Sequence, residues 1–134
     1  MVYYGEYEVS LTLGGRIALP KKIREGFGNN EFVITKGLGK CLSGYDKISW
    51  EGRIKELLNM PVSEKESLAN IEKRLILFSS TVYLEIDDQG RAVLPKNLRE
   101  FAALSKKAVI AEIGDHFEIW DKTKWEEYIS QVKS

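Results

Sequence analysis

Little in this sequence points to covalent or metal chemistry. There is one cysteine, Cys41, so no disulfide can form within the chain. That suits a reducing cytoplasm. There is one histidine, His116, in a Gly-Asp-His turn, and it reads as a solvated turn residue. Even if Cys41 and His116 meet, they fall short of the three or four protein ligands that zinc usually takes. A single histidine cannot seed a convincing Ser-His-Asp or Cys-His set. Gly14-Gly15-Arg16 lacks the flanking spacing and the Lys-Ser/Thr pair of a phosphate loop. Asp87 and Asp88 form a candidate acid–base pair, but they lie in a turn, where Asp is expected for local hydrogen bonding. No enzyme activity, cofactor or small-molecule substrate is therefore expected. No apolar run approaches the roughly 18 residues of a membrane span. The N-terminus has no basic region followed by an apolar stretch, so no signal peptide is expected.

The chain also lacks net charge: 20 basic residues balance 20 acidic ones. The distribution is uneven. Arg16 to Arg24 holds four basic residues and no acid, and Arg91 to Arg99 holds three and no acid. The remainder carries a balance of −7. Local potential, rather than the total, attracts a polyanion.

Those two basic stretches are copies. Gly15-Arg16-Ile17-Ala18-Leu19-Pro20-Lys21-Lys22-Ile23-Arg24-Glu25 returns 75 positions later as Gly90-Arg91-Ala92-Val93-Leu94-Pro95-Lys96-Asn97-Leu98-Arg99-Glu100, with seven of eleven positions identical. The same offset joins Asp46-Lys47-x-x-Trp50-Glu51 to Asp121-Lys122-x-x-Trp125-Glu126. The chain reads as an internal duplication.

Each copy predicts the same order of elements. Alternation through Tyr7, Val9 and Leu11 gives a strand, and Val82 to Ile86 gives its counterpart. A Gly-Arg turn follows, then a short strand, then a helix that Pro20 or Pro95 opens at a position where the missing N–H is harmless. Two strands come next: Glu31–Thr35 and Cys41–Tyr45 in the first copy, Ala108–Glu112 and Phe117–Trp120 in the second. Asp46 and Asp121 are placed to cap closing helices. These carry amphipathic stripes of Trp50, Ile54, Leu57 and Leu58, and of Trp125, Tyr128, Ile129 and Val132. A further helix from Glu64 to about Phe78, with a capping box at Ser63-x-x-Glu66, has no copy. Leu68, Ile71, Leu75 and Phe78 are expected to be its buried side. The predicted division is a first half at 1–60, a connecting helix at 61–80 and a second half at 81–134, as one intertwined α+β domain. Neither half would bury much alone, so the two should interlock about a pseudo-twofold axis.

The functional candidates are the Gly-Arg tips. A turn needs Gly15 and Gly90 but not Arg16 and Arg91. A tip guanidinium can meet a phosphate, or O6 and N7 of guanine. Lys21, Lys22 and Lys96, at the starts of the Pro-led helices, are placed to hold a phosphate backbone. On residues alone this is a small duplicated β-rich domain with a DNA-binding candidate face.

The chain resembles the MraZ family of bacterial transcriptional regulators. The match runs through Gly5-Glu6-Tyr7, Gly15-Arg16, Pro20-x-x-x-Arg24-Glu25, Thr35-x-Gly37, Cys41-Leu42 and Trp50. It continues through Arg74, Asp87-x-Gln89-Gly90-Arg91, Glu118-Ile119-Trp120 and Trp125-Glu126. The resemblance implies an AbrB-like swapped-hairpin β-barrel doubled within one chain. It implies a ring homo-oligomer that binds repeated double-stranded DNA sites upstream of the division and cell-wall operon, usually as a repressor. A cytoplasmic, nucleoid-associated location follows. The family's Asp-x-x-x-Arg motif maps onto Asp87 and Arg91, and Arg24 and Arg99 join the implied DNA-binding set. In the first copy Thr12-Leu13-Gly14-Gly15-Arg16 departs from the usual Asp-x-Lys-Gly-Arg. Loss of the Asp is expected to loosen Arg16, and loss of the Lys to remove a phosphate contact. An AbrB-like antitoxin and a ring-forming scaffold without DNA binding are the competing readings.

Overall fold

Strand pairing ties the first half of the chain to the second. The computed structural model describes residues 3–59 and 68–133. In order, the elements are β1 (Tyr3–Ser10), β2 (Arg16–Ala18), α1 (Lys21–Arg24), β3 (Glu31–Lys36), β4 (Leu42–Tyr45) and α2 (Lys47–Leu58). They continue as α3 (Leu68–Ser80), β5 (Val82–Glu85), β6 (Arg91–Val93), α4 (Lys96–Phe101), β7 (Lys107–Gly114), β8 (Phe117–Asp121) and α5 (Lys122–Lys133). Six strands form an antiparallel sheet in the order β1-β7-β8-β4-β3-β5, and β2 pairs with β6 in a separate two-stranded ribbon.

Exchanging the copies leaves this pairing unchanged. β1 pairs with β7 of the other half, and β5 with β3. Two self-pairs mark the centre. Ile17 lies opposite Ala92, its own counterpart 75 positions on. Ser43 lies opposite Glu118, also 75 positions on.

The expected closed barrel does not form. The large sheet is open, with β1 and β5 at its edges. Pairing between β1 and β2 is reduced to the isolated Leu11–Ile17 bridge, so the β2–β6 ribbon does not join the edges of the large sheet through continuous strand pairing.

The main core gathers apolar side chains from both copies. Ile17, Leu19 and Ile23 meet Ala92, Leu94 and Leu98, with Phe27, Phe32 and Phe117 between the layers. Phe27 stacks on Phe32 at 5.0 Å between ring centres. A smaller cluster of Val33, Tyr45 and Trp50, with Ile54 and Leu77 against it, seats α2 and α3.

The helix caps form as the residues predict. Asp46 Oδ1 accepts from the Ser49 N–H at 2.8 Å, and Asp46 Oδ2 accepts from the Tyr3 hydroxyl at 2.8 Å. Asp121 Oδ2 accepts from the Lys124 N–H at 3.3 Å.

The buried side expected for α3 is corrected. Leu68, Ile71, Leu75 and Phe78 are 71%, 42%, 66% and 40% exposed. The helix presents Leu77 and Ser80 to the sheet instead. Polar bonds fix that face: Thr35 Oγ1 donates to the Leu77 carbonyl at 2.9 Å, and Ser80 Oγ accepts from the Lys36 N–H at 3.1 Å. The capping box Ser63–Glu66 and the expected helix start at Glu64 lie outside the described residues.

Trp50 is 1% exposed and packs on Tyr45 at 5.2 Å. Trp50→Ala should cost about 3–5 kcal/mol, the usual range for emptying a buried aromatic site. Urea unfolding followed by far-UV circular dichroism measures it, and Tyr128→Ala, on a 46% exposed residue, should shift the midpoint far less.

Candidate nucleic-acid interface

Two turns of matching geometry flank the β2–β6 ribbon. In the first, the Thr12 N–H donates to the Arg16 carbonyl at 3.0 Å, and the Gly15 N–H donates to the Thr12 carbonyl at 3.0 Å. In the second, the Asp87 N–H donates to the Arg91 carbonyl at 2.9 Å, and the Gly90 N–H to the Asp87 carbonyl at 3.0 Å. Gly15 and Gly90 have φ of 83° and 78°, a backbone that glycine adopts at no steric cost.

The tips are locked to each other. The Leu19 N–H donates to the Gly90 carbonyl at 3.0 Å, and the Leu94 N–H donates to the Gly15 carbonyl at 2.8 Å. Arg24 Nε donates to the Leu19 carbonyl at 2.9 Å, and Arg99 Nε to the Leu94 carbonyl at 3.0 Å. These two guanidinium groups pack beneath the opposite copy's tip. A Cβ on Gly15 would lie 2.5 Å from Arg99 Nε, and one on Gly90 would lie 2.7 Å from Arg24 Cζ. Arg24 and Arg99 therefore brace the tips from below. Sequence reasoning missed this task, although their equal spacing from Leu19 and Leu94 was visible.

The ribbon has an inner and an outer face. Ile17 and Ala92 point inward and are buried. Arg16, Ala18, Arg91 and Val93 alternate with them and face outward, with Ala18 opposite Arg91 and Val93 opposite Arg16. Of the predicted lysines, Lys21 is exposed. Lys22 instead pairs with the buried carboxylate of Glu112 at 3.1 Å. Lys96 lies 3.8 Å from Glu100, with both side chains largely exposed.

The two tips differ in chemistry. Asp87 Oδ1 accepts from the N–H groups of Arg91 at 3.0 Å and Gln89 at 2.9 Å. Its Oδ2 lies 3.9 Å from Arg91 Nε. Gln89 Oε1 accepts from Arg91 Nη2. The Arg91 N–H, followed by the Gln89 N–H and the guanidinium groups of Arg91 and Arg16, holds the Asp87 carboxyl below the ordinary carboxylate range despite slight desolvation. In the first tip, Thr12 Oγ1 accepts from the Arg16 N–H at 3.0 Å. Thr12 thus replaces Asp87 in holding the backbone. It offers no carboxylate to the Arg16 side chain.

The remaining candidates lie elsewhere. His116 is not simply solvated: its ring stacks on Tyr45 at 4.7 Å, it hydrogen-bonds Asp115 at 2.6 Å, and its side chain is 16% exposed. Cys41 is buried, and desolvation, with Glu118 nearby, pushes its thiol up to about 12. Among the described residues no three His, Cys, Asp or Glu side chains gather as metal ligands. Among them, too, no helix is long and apolar enough to cross a membrane. A cleft of about 350 Å³ between α2 and α3 is lined by Arg53, Leu57, Lys73 and Leu77 among others, and by no tip residue.

A family model described as "MraZ protein, putative antitoxin-like" matches residues 2–72 and 77–134. The chain is similar to the transcriptional regulator MraZ of Acetivibrio thermocellus, 39% identical over 127 residues, which is 95% of this chain and 86% of the relative. It is 40% identical over 133 residues to the protein of that name from Pelotomaculum thermopropionicum, covering 99% of this chain and 89% of the relative. The Ligilactobacillus salivarius protein of that name is 35% identical over 132 residues, 98% and 90% of the two chains.

Gly90→Ala should destabilise by about 1–3 kcal/mol, because the alanine meets both positive φ and the Arg24 guanidinium. Gly28→Ala, with open space around its Cβ position, serves as the control. The check is the difference in urea midpoint between the two variants. Equal midpoints would contradict the brace.

Proposed function

The chain belongs to the MraZ family, and on that footing we propose that it is a sequence-specific DNA-binding transcriptional regulator. The observation that carries the reading is the ribbon itself. Two Gly-Arg turns from distant parts of the chain meet there, with Arg16 and Arg91 on its outer face. The major groove of B-DNA admits a two-stranded β-ribbon, and arginine is the commonest reader of guanine there. Lys21 and Lys96, both exposed, form the phosphate-contacting surround, while Lys22 is held by Glu112 and Arg24 and Arg99 support the tips from below. The reciprocal strand pairing supports two interlocked AbrB-like swapped-hairpin halves, residues 1–60 and 81–134, joined through 61–80. Transcriptional regulators of this name are relatives over nearly the whole chain, which supports a role in transcriptional regulation; repression of the division and cell-wall operon, from within the nucleoid, is the finer form of this reading that the family resemblance implies.

The apolar stripe on α3 supports a ring. Leu68, Ile71, Leu75 and Phe78 follow helical spacing and remain exposed in the single chain. A neighbouring copy is the occupant we assign to that stripe. Several ribbons on one rim then engage repeated sites, and a weak contact per copy becomes tight binding because later contacts are intramolecular. The antitoxin phrase in the family description keeps one rival reading, in which a toxin covers the same stripe.

Arg16→Ala combined with Arg91→Ala should abolish the preference for a duplex from the chain's own upstream region over a shuffled one. It should also flatten the slope of log affinity against log salt by about 0.9 for each phosphate that is no longer neutralised. Anisotropy over a salt series reads both, and an unchanged preference would sink the assignment of the ribbon. Leu75→Glu should reduce the mass seen by light scattering to that of smaller assemblies while circular dichroism stays native. It should weaken binding to a multi-repeat duplex more than to a single repeat. A mass unchanged by Leu75→Glu would remove α3 from the interface.

A further inference from the structure

We propose that the two tips divide the work on DNA: Arg91 reads a guanine, and Arg16 holds a phosphate. The inference rests on the DNA-binding reading above and adds to it an asymmetry between this chain's own two tips. Three observations carry it.

The first is the support around each guanidinium. Arg91 is steered by two side chains of its own turn, Asp87 at 3.9 Å and Gln89. Asp87 is itself fixed by two backbone N–H donors. A guanidinium held in this way presents its remaining donors in one orientation. Bidentate recognition of O6 and N7 requires that, because the fork must lie in the plane of the base. The matching positions of the first turn are Thr12 and Gly14. Thr12 holds the backbone through Oγ1 and carries no charge, and Gly14 has no side chain, so the carboxylate within electrostatic reach of Arg16 is Asp87 of the other turn, which is a weaker partner to it than to Arg91.

The second is local charge. The first turn, Thr12 to Arg16, carries one arginine and no acid. The second, Asp87 to Arg91, carries one arginine and two aspartates. A phosphate is attracted to the first turn and repelled by the second. A base edge carries no net charge, so the acidic turn can approach it. The third is position. The two arginines share the outer face of one ribbon, with Ala18 and Val93 as their partners across it. One ribbon in one groove can thus place Arg91 over a base while Arg16 reaches the flanking backbone.

The test converts the second tip toward the first. Asp87→Thr with Gln89→Gly removes the two side chains that steer Arg91 and keeps a side-chain oxygen for the Arg91 N–H, as Thr12 does for Arg16. A thermal melt matching the wild type confirms that the turn is intact. The probe is a duplex selected by the wild-type full chain from a randomised pool, compared with the same duplex carrying single base-pair substitutions. The double variant should lose about tenfold of its discrimination at one guanine, the scale of one bidentate pair. Its affinity for shuffled DNA at low salt should be equal or higher. Arg91→Lys should lose the same discrimination, since lysine keeps the charge but not the fork. Arg16→Lys should leave discrimination within about twofold, and Arg16→Ala should lower the salt slope by about 0.9. Replacing the contacted guanine with 7-deazaguanine should penalise wild type and leave Arg91→Ala, which has no donor for N7, indifferent. Equal losses from Arg16→Lys and Arg91→Lys, or full discrimination in the double variant, would overturn the division of labour alone. A wild-type chain that selects no sequence at all would overturn the DNA-reading function and this proposal with it.

Discussion

The structure depends on the place where the chain meets its own copy. Ile17 sits opposite Ala92, the Leu19 and Leu94 N–H groups reach across to the carbonyls of Gly90 and Gly15, and Arg99 and Arg24 lie under Gly15 and Gly90. A chain of about sixty residues is marginal alone, since it buries a small fraction of its surface. Here the side chains of both copies fill one core. The glycines follow from the same constraint. Each must adopt a positive φ and leave room for an arginine from the other half, so one residue type satisfies two demands.

That arrangement also explains why the outward face of the ribbon is open to function. A two-residue alternation buries Ile17 and Ala92, and it sends Arg16 and Arg91 outward on a rigid, doubly braced element. An arginine on such an element loses less freedom on meeting a ligand than one on a free loop. The neutral total charge of the chain is no obstacle, since the acids lie largely outside the two basic stretches.

Much of this was legible in the sequence, for identifiable reasons. The repeat, the Pro-led helices and the Asp46 and Asp121 caps are local signals, and each helix and strand they predict is present. Periodicity found the stripe on α3 but misjudged its surroundings. A 3.6-residue pattern shows only that one face of a helix is apolar, and it does not tell whether the chain's own core covers that face. The polar stitches of Thr35 and Ser80 decided which side met the sheet, and serine and threonine carry no such signal in a hydropathy pattern. The closed barrel was not legible because closure needs continuous pairing between β1 and β2, and a three-residue strand leaves only an isolated bridge there. The first tip is less loose than the missing Asp implies. The Thr12 hydroxyl restores the backbone bond, and only the steering of the side chain is lost.

The most direct measurement is hydrogen–deuterium exchange of the full chain, read by mass spectrometry, with and without a duplex from its own upstream region. Slowed exchange confined to residues 12–19 and 87–95 and the starts of α1 and α4, absent with a shuffled duplex, is the expected result. Protection that bypasses both tips and falls on α3 or α5 would contradict the ribbon as the surface that meets DNA.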